Sequence, residues 1–339
     1  MSTNMSKDSP FFLKQNQGFG TIEASDELLH PERNKLVEAD SLTETQYFGF
    51  SVPEAGIHSY TYMWHHPNLH VVTGGLWVWR GIKRYMVQSE LCDFVTYMND
   101  SVLANDLHDY RLPNGFGVKI LEPLKRFHLT YADPVRKNSV DLNYQAVGPA
   151  VMYGDGNHFE QPMHVTGELT LRGTRHAVDC FNVRDRSWGK ARPETNIPMP
   201  PTSWMTGVFS RDFSFNCNVF DQESGNPELT GSFALPEART LSGGWVFRNG
   251  TLGRIVRVQK RVVRAPVSLL PNEIEFEAVD EFDRRVHVRG MLVASCPWQA
   301  WGNFNVSISL MRWECEGQVA YGDCQEPLWN DYCNFIAER

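Results

Sequence analysis

The sequence predicts a nearly all-β protein of two barrel-like or sandwich-like domains, and three observations support this. From Gln46 onward the chain is a series of short runs rich in β-branched and aromatic residues, separated by Gly, Pro, Asn and Asp. The runs follow one another too closely to leave room for the crossover helices of a parallel sheet, so antiparallel neighbours are expected. A length of 339 residues exceeds the usual size of one domain.

We expect an N-terminal arm over residues 1–40, a first β-domain over 41–150 and a second β-domain over 151–339. The arm contains few apolar residues, and the boundary falls in the turn-rich segment GPAVMYGDGN.

Two stretches of the second domain show clear periodicity. In VTGELTLRG the residues Val165, Gly167, Leu169 and Leu171 alternate with polar ones, as in a half-buried strand. Over residues 326–336 apolar side chains recur at three- and four-residue spacing, which predicts a short C-terminal helix that packs on the domain.

Composition excludes several classes of protein. A net charge of -8 without a long run of Lys or Arg argues against a nucleic-acid partner, and the most basic stretch, residues 254–264, alternates like a strand with one solvated face. No segment has the ~20 apolar residues that a membrane span needs. The 10 Trp, 11 Tyr and 20 Phe fit either an aromatic-rich β core or the lining of a ligand site.

Cysteine usage and the N-terminal sequence predict a cytoplasmic location. The seven cysteines are odd in number and form no C-x-x-C pair, which disfavours both a disulfide framework and a thiolate zinc site. The N-terminal sequence lacks the apolar core of a secretory signal. The sequence does not decide between a monomer and a homo-oligomer.

The common cofactor and nucleophile motifs are absent from the sequence. It has no glycine-rich phosphate loop, no G-x-S-x-G elbow and no H-E-x-x-H pair, so we predict no cofactor and either cofactor-free chemistry or binding alone.

The segment VRDRSWG, residues 183–189, carries the first candidate site. Asp185 stands between Arg184 and Arg186, and Trp188 follows. One interpretation is a buried network in which the arginines and the aspartate satisfy each other at a strand end. The other places Asp185 in an apolar cavity as a general acid or base, with the arginines orienting it or binding a substrate oxyanion.

A second candidate group precedes it in the segment HFEQPMH. His158 and Glu160 share a face of an extended strand, whereas Gln161 points away. Residues that enter one barrel from adjacent strands meet inside it, so His158 or Glu160 is expected to act with Asp185 as a second acid or base.

The first domain contributes aromatic residues and a histidine-rich run. Tyr62, Trp64 and Trp77, with Trp188, are expected to line a cavity and contact substrate. The run HH at 65–66 invites a metal interpretation. Adjacent histidines on a strand point to opposite faces, however, so we predict no metal site.

Three runs carry a family resemblance: HFEQPMHVTGELTLRG, VDCFNVRDRSWG and VAYGDCQEPLW. They resemble a group of bacterial proteins of uncharacterised function that are distantly similar to the carotenoid 1,2-hydratase superfamily, which includes kievitone hydratase-like proteins and lipocalin-like Diels–Alderases. The resemblance covers mainly residues 150–325 and implies two tandem lipocalin-like antiparallel β-barrels or sandwiches. Those relatives carry a Trp-x-Asp-x-x-Trp segment at the cavity, which implies that Asp185 protonates an alkene. Asp185 and Trp188 match it, whereas Val183 replaces the first tryptophan.

The leading hypothesis is therefore a cofactor-independent hydro-lyase or isomerase acting on a hydrophobic unsaturated small molecule such as a terpenoid, steroid or aromatic compound. The alternative is a non-catalytic carrier or sensor of an apolar metabolite. A structural module that recruits a protein partner is a third hypothesis, which the placement of the aromatic residues within strands disfavours.

Overall fold

The computed structural model describes residues 19–153, 155–196, 198–225, 227–231 and 233–339, most of which form β-strands. The described chain divides into two compact units. One comprises Phe19–Gly81 with Met86–Pro193, and the other comprises Ile82–Tyr85 with Glu194–Arg339. The prediction of a nearly all-β fold is confirmed.

The first unit is one large antiparallel sheet in the order β6-β5-β4-β2-β13-β12-β10-β9-β8-β7, with β1, β3 and β11 as short additions. Its strands are β1 (Phe19–Gly20), β2 (Leu42–Phe48), β3 (Ser51–Val52), β4 (Ile57–His66), β5 (Val71–Arg80), β6 (Leu91–Asn99), β7 (Asp109–Arg111), β8 (Gly117–Glu122), β9 (Arg126–Asp133), β10 (Asn138–Ala146), β11 (Val151–Tyr153), β12 (His158–Leu171) and β13 (Thr174–Ala191). A short helix α1 (Pro31–Asn34) precedes β2.

This sheet curls until its two ends approach each other. Asn114, in the turn after β7, donates through Nδ2 to the backbone oxygen of Asp93 in β6 at 3.0 Å. The Tyr131 hydroxyl from β9 donates to the Asp93 carboxylate at 2.6 Å. One face is thereby enclosed and holds a continuous apolar core, to which Leu76, Leu129 and many others contribute. The predicted alternation of residues 165–171 is confirmed, with Val165, Leu169 and Leu171 buried in that core.

The second unit is a closed eight-stranded antiparallel barrel followed by a helix. Its elements are β14 (Thr202–Ser210), β15 (Phe213–Phe220), β16 (Leu241–Arg248), β17 (Thr251–Arg264), β18 (Pro271–Asp280), β19 (Arg285–Trp301), β20 (Phe304–Cys315), β21 (Gln318–Trp329) and α2 (Asn330–Ala337). Phe215, Phe276 and Trp313 meet edge to face in the barrel core.

The same barrel buries a balanced group of charges. Asp221 lies 3.0 Å from the Lys260 ammonium and 2.6 Å from the Arg264 guanidinium, which also lies 2.9 Å from Glu326. Two acids and two bases neutralise one another, so we interpret this group as part of the barrel framework.

The division between the units falls later than the predicted boundary near residue 150. β12 pairs with β10, and β13 pairs with both β12 and β2, so both long strands complete the first sheet. The turn-rich segment at 148–157 therefore lies within the first unit. Turn residues mark chain reversals, and they cannot distinguish a hairpin inside a sheet from a link between domains.

The predicted C-terminal helix is present but begins at Asn330. The preceding residues stay in β21, where Pro327 pairs with Val306 and Trp329 with Phe304. Leu328 and Trp329 are buried against apolar neighbours of the barrel unit, which outweighs the helical spacing of this run. None of the helices in the described part of the chain is long and apolar enough to cross a membrane.

Candidate active site

The register of three strands places the candidate acids side by side. Glu160 of β12 lies directly opposite Asp185 of β13, which in turn lies opposite Tyr47 of β2. Tyr62 of β4 continues the row beside Tyr47. Directly opposed residues of antiparallel strands project to the same face, so we call this surface the Asp185 face, defined by Asp185, Glu160, Tyr47, Tyr62 and, two residues before Glu160, His158.

Glu160 is held between two ring side chains. The His158 Nε2 atom lies 3.3 Å from Glu160 Oε1, and the Tyr153 hydroxyl donates to Glu160 Oε2 at 3.3 Å. Glu160 is fully buried, whereas His158 and Asp185 keep some solvent access. The predicted grouping of Asp185, His158 and Glu160 is thus present as geometry, with the two carboxyl groups on neighbouring strands and an imidazole beside one of them. It lies on the face of the sheet opposite the enclosed apolar core, which takes Val165 and Val178, and not inside the barrel as the sequence predicted.

The environment of Asp185 moves the pKa of its carboxyl group towards neutral pH. Burial raises the pKa of Asp185 to about 6, because the ionised carboxylate loses hydration. The charge of His158 opposes this rise and that of Glu160 adds to it, while Arg192 and Arg186 oppose it. A carboxyl group with this pKa is populated in both protonation states near neutrality, which suits a proton donor or acceptor.

This pKa makes a testable prediction about stability. The folded protein holds the Asp185 proton more tightly than the unfolded chain does, so protonation of Asp185 stabilises the folded state. This contribution to the free energy of unfolding is complete below the ordinary pKa of 3.8 and is lost as pH rises through about 6. We expect Asp185→Asn to gain up to ~3 kcal/mol in free energy of unfolding, relative to wild type, between pH 4 and pH 8. Urea titrations across that range measure the difference.

The matched control is Asp179→Asn on the same strand, where the aspartate side chain is 79% exposed. Its effect should stay within about 0.5 kcal/mol of wild type. An Asp185→Asn difference that does not vary with pH would show that the carboxyl group is well hydrated.

Arg184 and Arg186 lie on the opposite face from Asp185, because they are its immediate neighbours in the strand and successive side chains alternate. Arg184 is buried in a bidentate ion pair with Glu27 and also donates to Gln161 Oε1 at 3.0 Å. Its guanidinium carbon lies 4.1 Å from the centre of the Phe127 ring.

Arg186 anchors the N-terminal segment in a similar way. It donates to the Glu44 carboxylate at 3.4 Å, to the Thr45 backbone oxygen at 3.3 Å and to the Leu28 backbone oxygen. Burial by itself raises the pKa of Glu44. The hydrogen bond that Glu44 accepts from His30 and the charge of Arg186 outweigh burial, so the pKa of Glu44 is lowered. Both arginines therefore belong to buried networks that fasten residues 27–44 to the sheet.

Trp188 also lies away from Asp185. Its ring stacks on His30, with centroids 3.8 Å apart and planes within 3°, and it packs with Met152 and Phe159. This places Trp188 among the core residues of the opposite face.

The aromatic residues of β4 and β5 lie on the Asp185 face. Tyr62 and Trp64 keep 6% and 8% of their surfaces exposed, and their rings meet edge to face at 5.5 Å. Trp77 packs against Tyr60 with no exposed surface. Tyr62 and Trp64 can therefore contact a small molecule at their margins, whereas Trp77 supports the face from within.

The structure adds Arg192, which the sequence pattern did not single out. Ser187 pairs with Thr45, but the next pair is Lys190 with Thr43, so β13 holds one extra residue here. Gly189 has φ of 63° and forms this β-bulge. The bulge shifts the alternation by one, and Arg192 therefore returns to the Asp185 face, where its guanidinium donates to the Ser187 hydroxyl at 2.8 Å.

The sequence feature that indicates this shift is Gly189, a glycine inside a strand-like run. Counting the alternation across Gly189 would have moved Lys190 and Arg192 to the face of Asp185. Thr45 is likewise a residue that sequence reasoning missed, and its hydroxyl lies 2.6 Å from that of Ser187.

The histidine-rich run of β4 forms a separate group. His65 Nε2 and His70 Nδ1 lie 3.3 Å and 3.1 Å from the same Asp100 oxygen. Within the described ranges, no cluster of three or more His, Cys, Asp or Glu side chains has an arrangement that could hold a metal ion.

Comparison with known proteins assigns the chain to a family. The model of the domain of unknown function DUF7064 matches residues 23–331. The chain belongs to the DUF7064 family. A search of curated proteins gave no significant match.

Solved structures share the fold of this DUF7064 protein. Kievitone hydratase from Nectria haematococca matches with a TM-score of 0.55 and 10% identity, over 96% of this chain and 99% of that one. A candidate AttH from Nitrosomonas europaea matches with a TM-score of 0.62 and 10% identity, over 92% and 97%. At 10% identity the likeness concerns the fold alone, and at that level the predicted resemblance is confirmed.

Proposed function

We propose that this protein is a cofactor-independent enzyme, a hydratase or isomerase, that uses acid–base catalysis on a hydrophobic unsaturated small molecule such as a terpenoid, steroid or aromatic compound. One observation carries the proposal: Asp185, with a pKa raised to about 6, lies directly opposite the buried Glu160 and its partner His158. Pairs of titratable groups in contrasting environments are typical of proton-transfer sites.

Each group has a distinct role in this proposal. Protonated Asp185 gives its proton to an alkene carbon, and the Glu160–His158 pair takes a proton from the attacking water or from the substrate. Because Glu160 and Asp185 face each other across one strand pair, the proton can return to Asp185 for the next turnover. Isomerisation uses the same two groups without the addition of water.

Burial and accessibility also support an enzyme of this kind. Asp185 and His158 are partly accessible, while Tyr62 and Trp64 present apolar margins next to them. A hydrophobic molecule bound there would exclude water from the reacting carbon and strengthen the electrostatic contribution of each charged group. The fold likeness to kievitone hydratase agrees with a hydration reaction.

Isotope incorporation tests the proposal across many candidate substrates at once. The protein is incubated in deuterium oxide with a panel of lipophilic alkenes, and the products are analysed by mass spectrometry. We expect wild type to place one deuterium on a carbon atom of the product per turnover. The amount incorporated should be the same with and without added oxygen. For hydration, kcat/KM should fall as pH rises through about 6, because ionised Asp185 has no proton to give.

Incorporation that is equal in wild type and Asp185→Asn would contradict the assigned role. Binding of the panel compounds with no incorporation by wild type would instead indicate a carrier.

A further inference from the structure

Arg192, Tyr62, Thr45 and Ser187 form a polar group beside Asp185 that the acid–base roles do not use. The guanidinium of Arg192 donates to the Ser187 hydroxyl at 2.8 Å, and that hydroxyl lies 2.6 Å from the Thr45 hydroxyl. The Tyr62 hydroxyl interacts with both Thr45 and Arg192. The group therefore joins three strands, β13, β2 and β4, on the Asp185 face.

The position of Arg192 depends on the bulge at Gly189. With regular alternation, residue 192 would share a face with Arg184 and Arg186, the two arginines in buried networks. The extra residue between Ser187 and Lys190 reverses this, so the Arg192 backbone bonds to Ser41 and its side chain reaches the Asp185 face. Bulges commonly redirect side chains next to active sites.

The group combines a positive charge, hydrogen-bond donors and partial access to solvent. Arg192 is partly exposed, as is Asp185, whereas Ser187 and Thr45 are buried and hold their hydroxyl groups in place. Burial raises the pKa of the Tyr62 hydroxyl, and the Asp185 charge adds to the rise while Arg192 opposes it, so Tyr62 stays protonated and can donate. The other charges nearby are Glu160, His158 and Lys190, and the last lies 3.1 Å from Asp155.

We propose that Arg192 and the Tyr62 hydroxyl bind an oxyanion that develops on the substrate, so that the substrate is a planar α,β-unsaturated carbonyl compound. This inference rests on the proposed function and names its substrate class. A guanidinium and a neutral phenol next to a proton donor match an enolate, whose negative oxygen is conjugated to the carbon that is protonated.

With these groups, hydration of the substrate proceeds through an enolate and regenerates the site. Water bonds to the β-carbon and gives a proton to the Glu160–His158 pair, while the π electrons move onto the carbonyl oxygen held by Arg192 and Tyr62. The α-carbon then takes the Asp185 proton, and the enolate electrons return to form the C=O bond. Transfer of the stored proton from the Glu160–His158 pair to Asp185 restores the starting state, so the net change is addition of one water molecule.

A phenolate dye serves as the probe, because it mimics the enolate and its ionised and neutral forms absorb at different wavelengths. Umbelliferone is titrated with the full-length protein at a pH where the free dye is mostly neutral, and its methyl ether serves as the uncharged comparison. We expect wild type to bind umbelliferone in the ionised form and to prefer it to the ether. Arg192→Met should weaken umbelliferone binding about ten- to a hundredfold and remove the ionised band, while binding of the ether changes less than about twofold.

Two further variants keep the test informative. Arg192→Lys, which retains the charge, should recover part of the ionised band. Arg175→Met, at a 75% exposed arginine of the same strand, should bind both dyes like wild type. Circular dichroism confirms that each variant is folded. Wild type that does not prefer umbelliferone to the ether, or Arg192→Met that binds it as wild type does, overturns the inference.

Failure of this inference is distinguishable from failure of the proposed function. If Arg192→Met loses no deuterium incorporation on substrates of the alkene panel whereas Asp185→Asn does, the acid–base roles stand and the oxyanion assignment falls. If wild type incorporates no deuterium, the acid–base proposal falls whatever the dye does.

Discussion

Asp185→Asn is expected to lower kcat by about a hundred- to ten-thousandfold on a substrate identified by deuterium incorporation, which is the usual contribution of a positioned general acid. Asparagine has nearly the same shape and cannot donate a proton to carbon. Binding should therefore change little, and equilibrium titration with the same substrate is expected to give a Kd within about threefold of wild type.

The control for this loss is again Asp179→Asn, which makes the same chemical change on the same strand at an exposed position. It should leave kcat within about twofold of wild type. A carrier would behave differently, since Asp185→Asn would then alter affinity or stability and no turnover would exist to be lost. Retention of more than about a tenth of the wild-type kcat would remove Asp185 from the role of proton donor.

Arg184→Met is expected to produce the largest loss of stability, about 3–5 kcal/mol in free energy of unfolding. Both Arg184 and Glu27 have no exposed side-chain surface, so the variant leaves a buried carboxylate without its counter-charge. Urea unfolding followed by tryptophan fluorescence measures the effect. The interpretation of Arg184 as a structural residue requires this result.

Two comparisons make the Arg184 test specific. Arg175→Met, on the same strand as Arg184, breaks an exposed pair with Glu168 of β12 and should cost less than about 1 kcal/mol. The double variant Arg184→Met with Glu27→Gln removes both charges, and the amide oxygen can still accept from the Leu124 backbone amide, so we expect it to be more stable than Arg184→Met alone. A cost for Arg184→Met as small as that for Arg175→Met would mean that the pair is hydrated in solution.

The fold class was predictable because its signals are local. Alternation over residues 165–171 and turn residues between short runs were enough to identify antiparallel strands, and Leu169 is buried as expected. The division between the units was harder to predict from the sequence, because it depends on which strands pair across long separations in the chain. β13 pairs with β2 although about 140 residues separate them, and no short pattern records this pairing.

The candidate site was predictable in part for a related reason. The spacing of His158 and Glu160 fixes their shared face, and the structure adds that Asp185 lies opposite Glu160. The partners of Arg184 and Arg186 were not predictable, since Glu27 and Glu44 come from the N-terminal segment and neither pairing leaves a sequence motif. Sequence proximity to Asp185 suggested an electrostatic role for these arginines, whereas strand alternation directs them to the other face.

The extra residue at Gly189 has a consequence for how sites of this kind diversify. On either side of it, odd- and even-numbered positions exchange faces, so the loss or gain of one amino acid there would replace the set of side chains presented to a ligand without changing a single neighbouring residue type. Within the DUF7064 family, the length of this strand is therefore as informative about specificity as its composition, and homologues should be grouped by that length before their ligand preferences are compared.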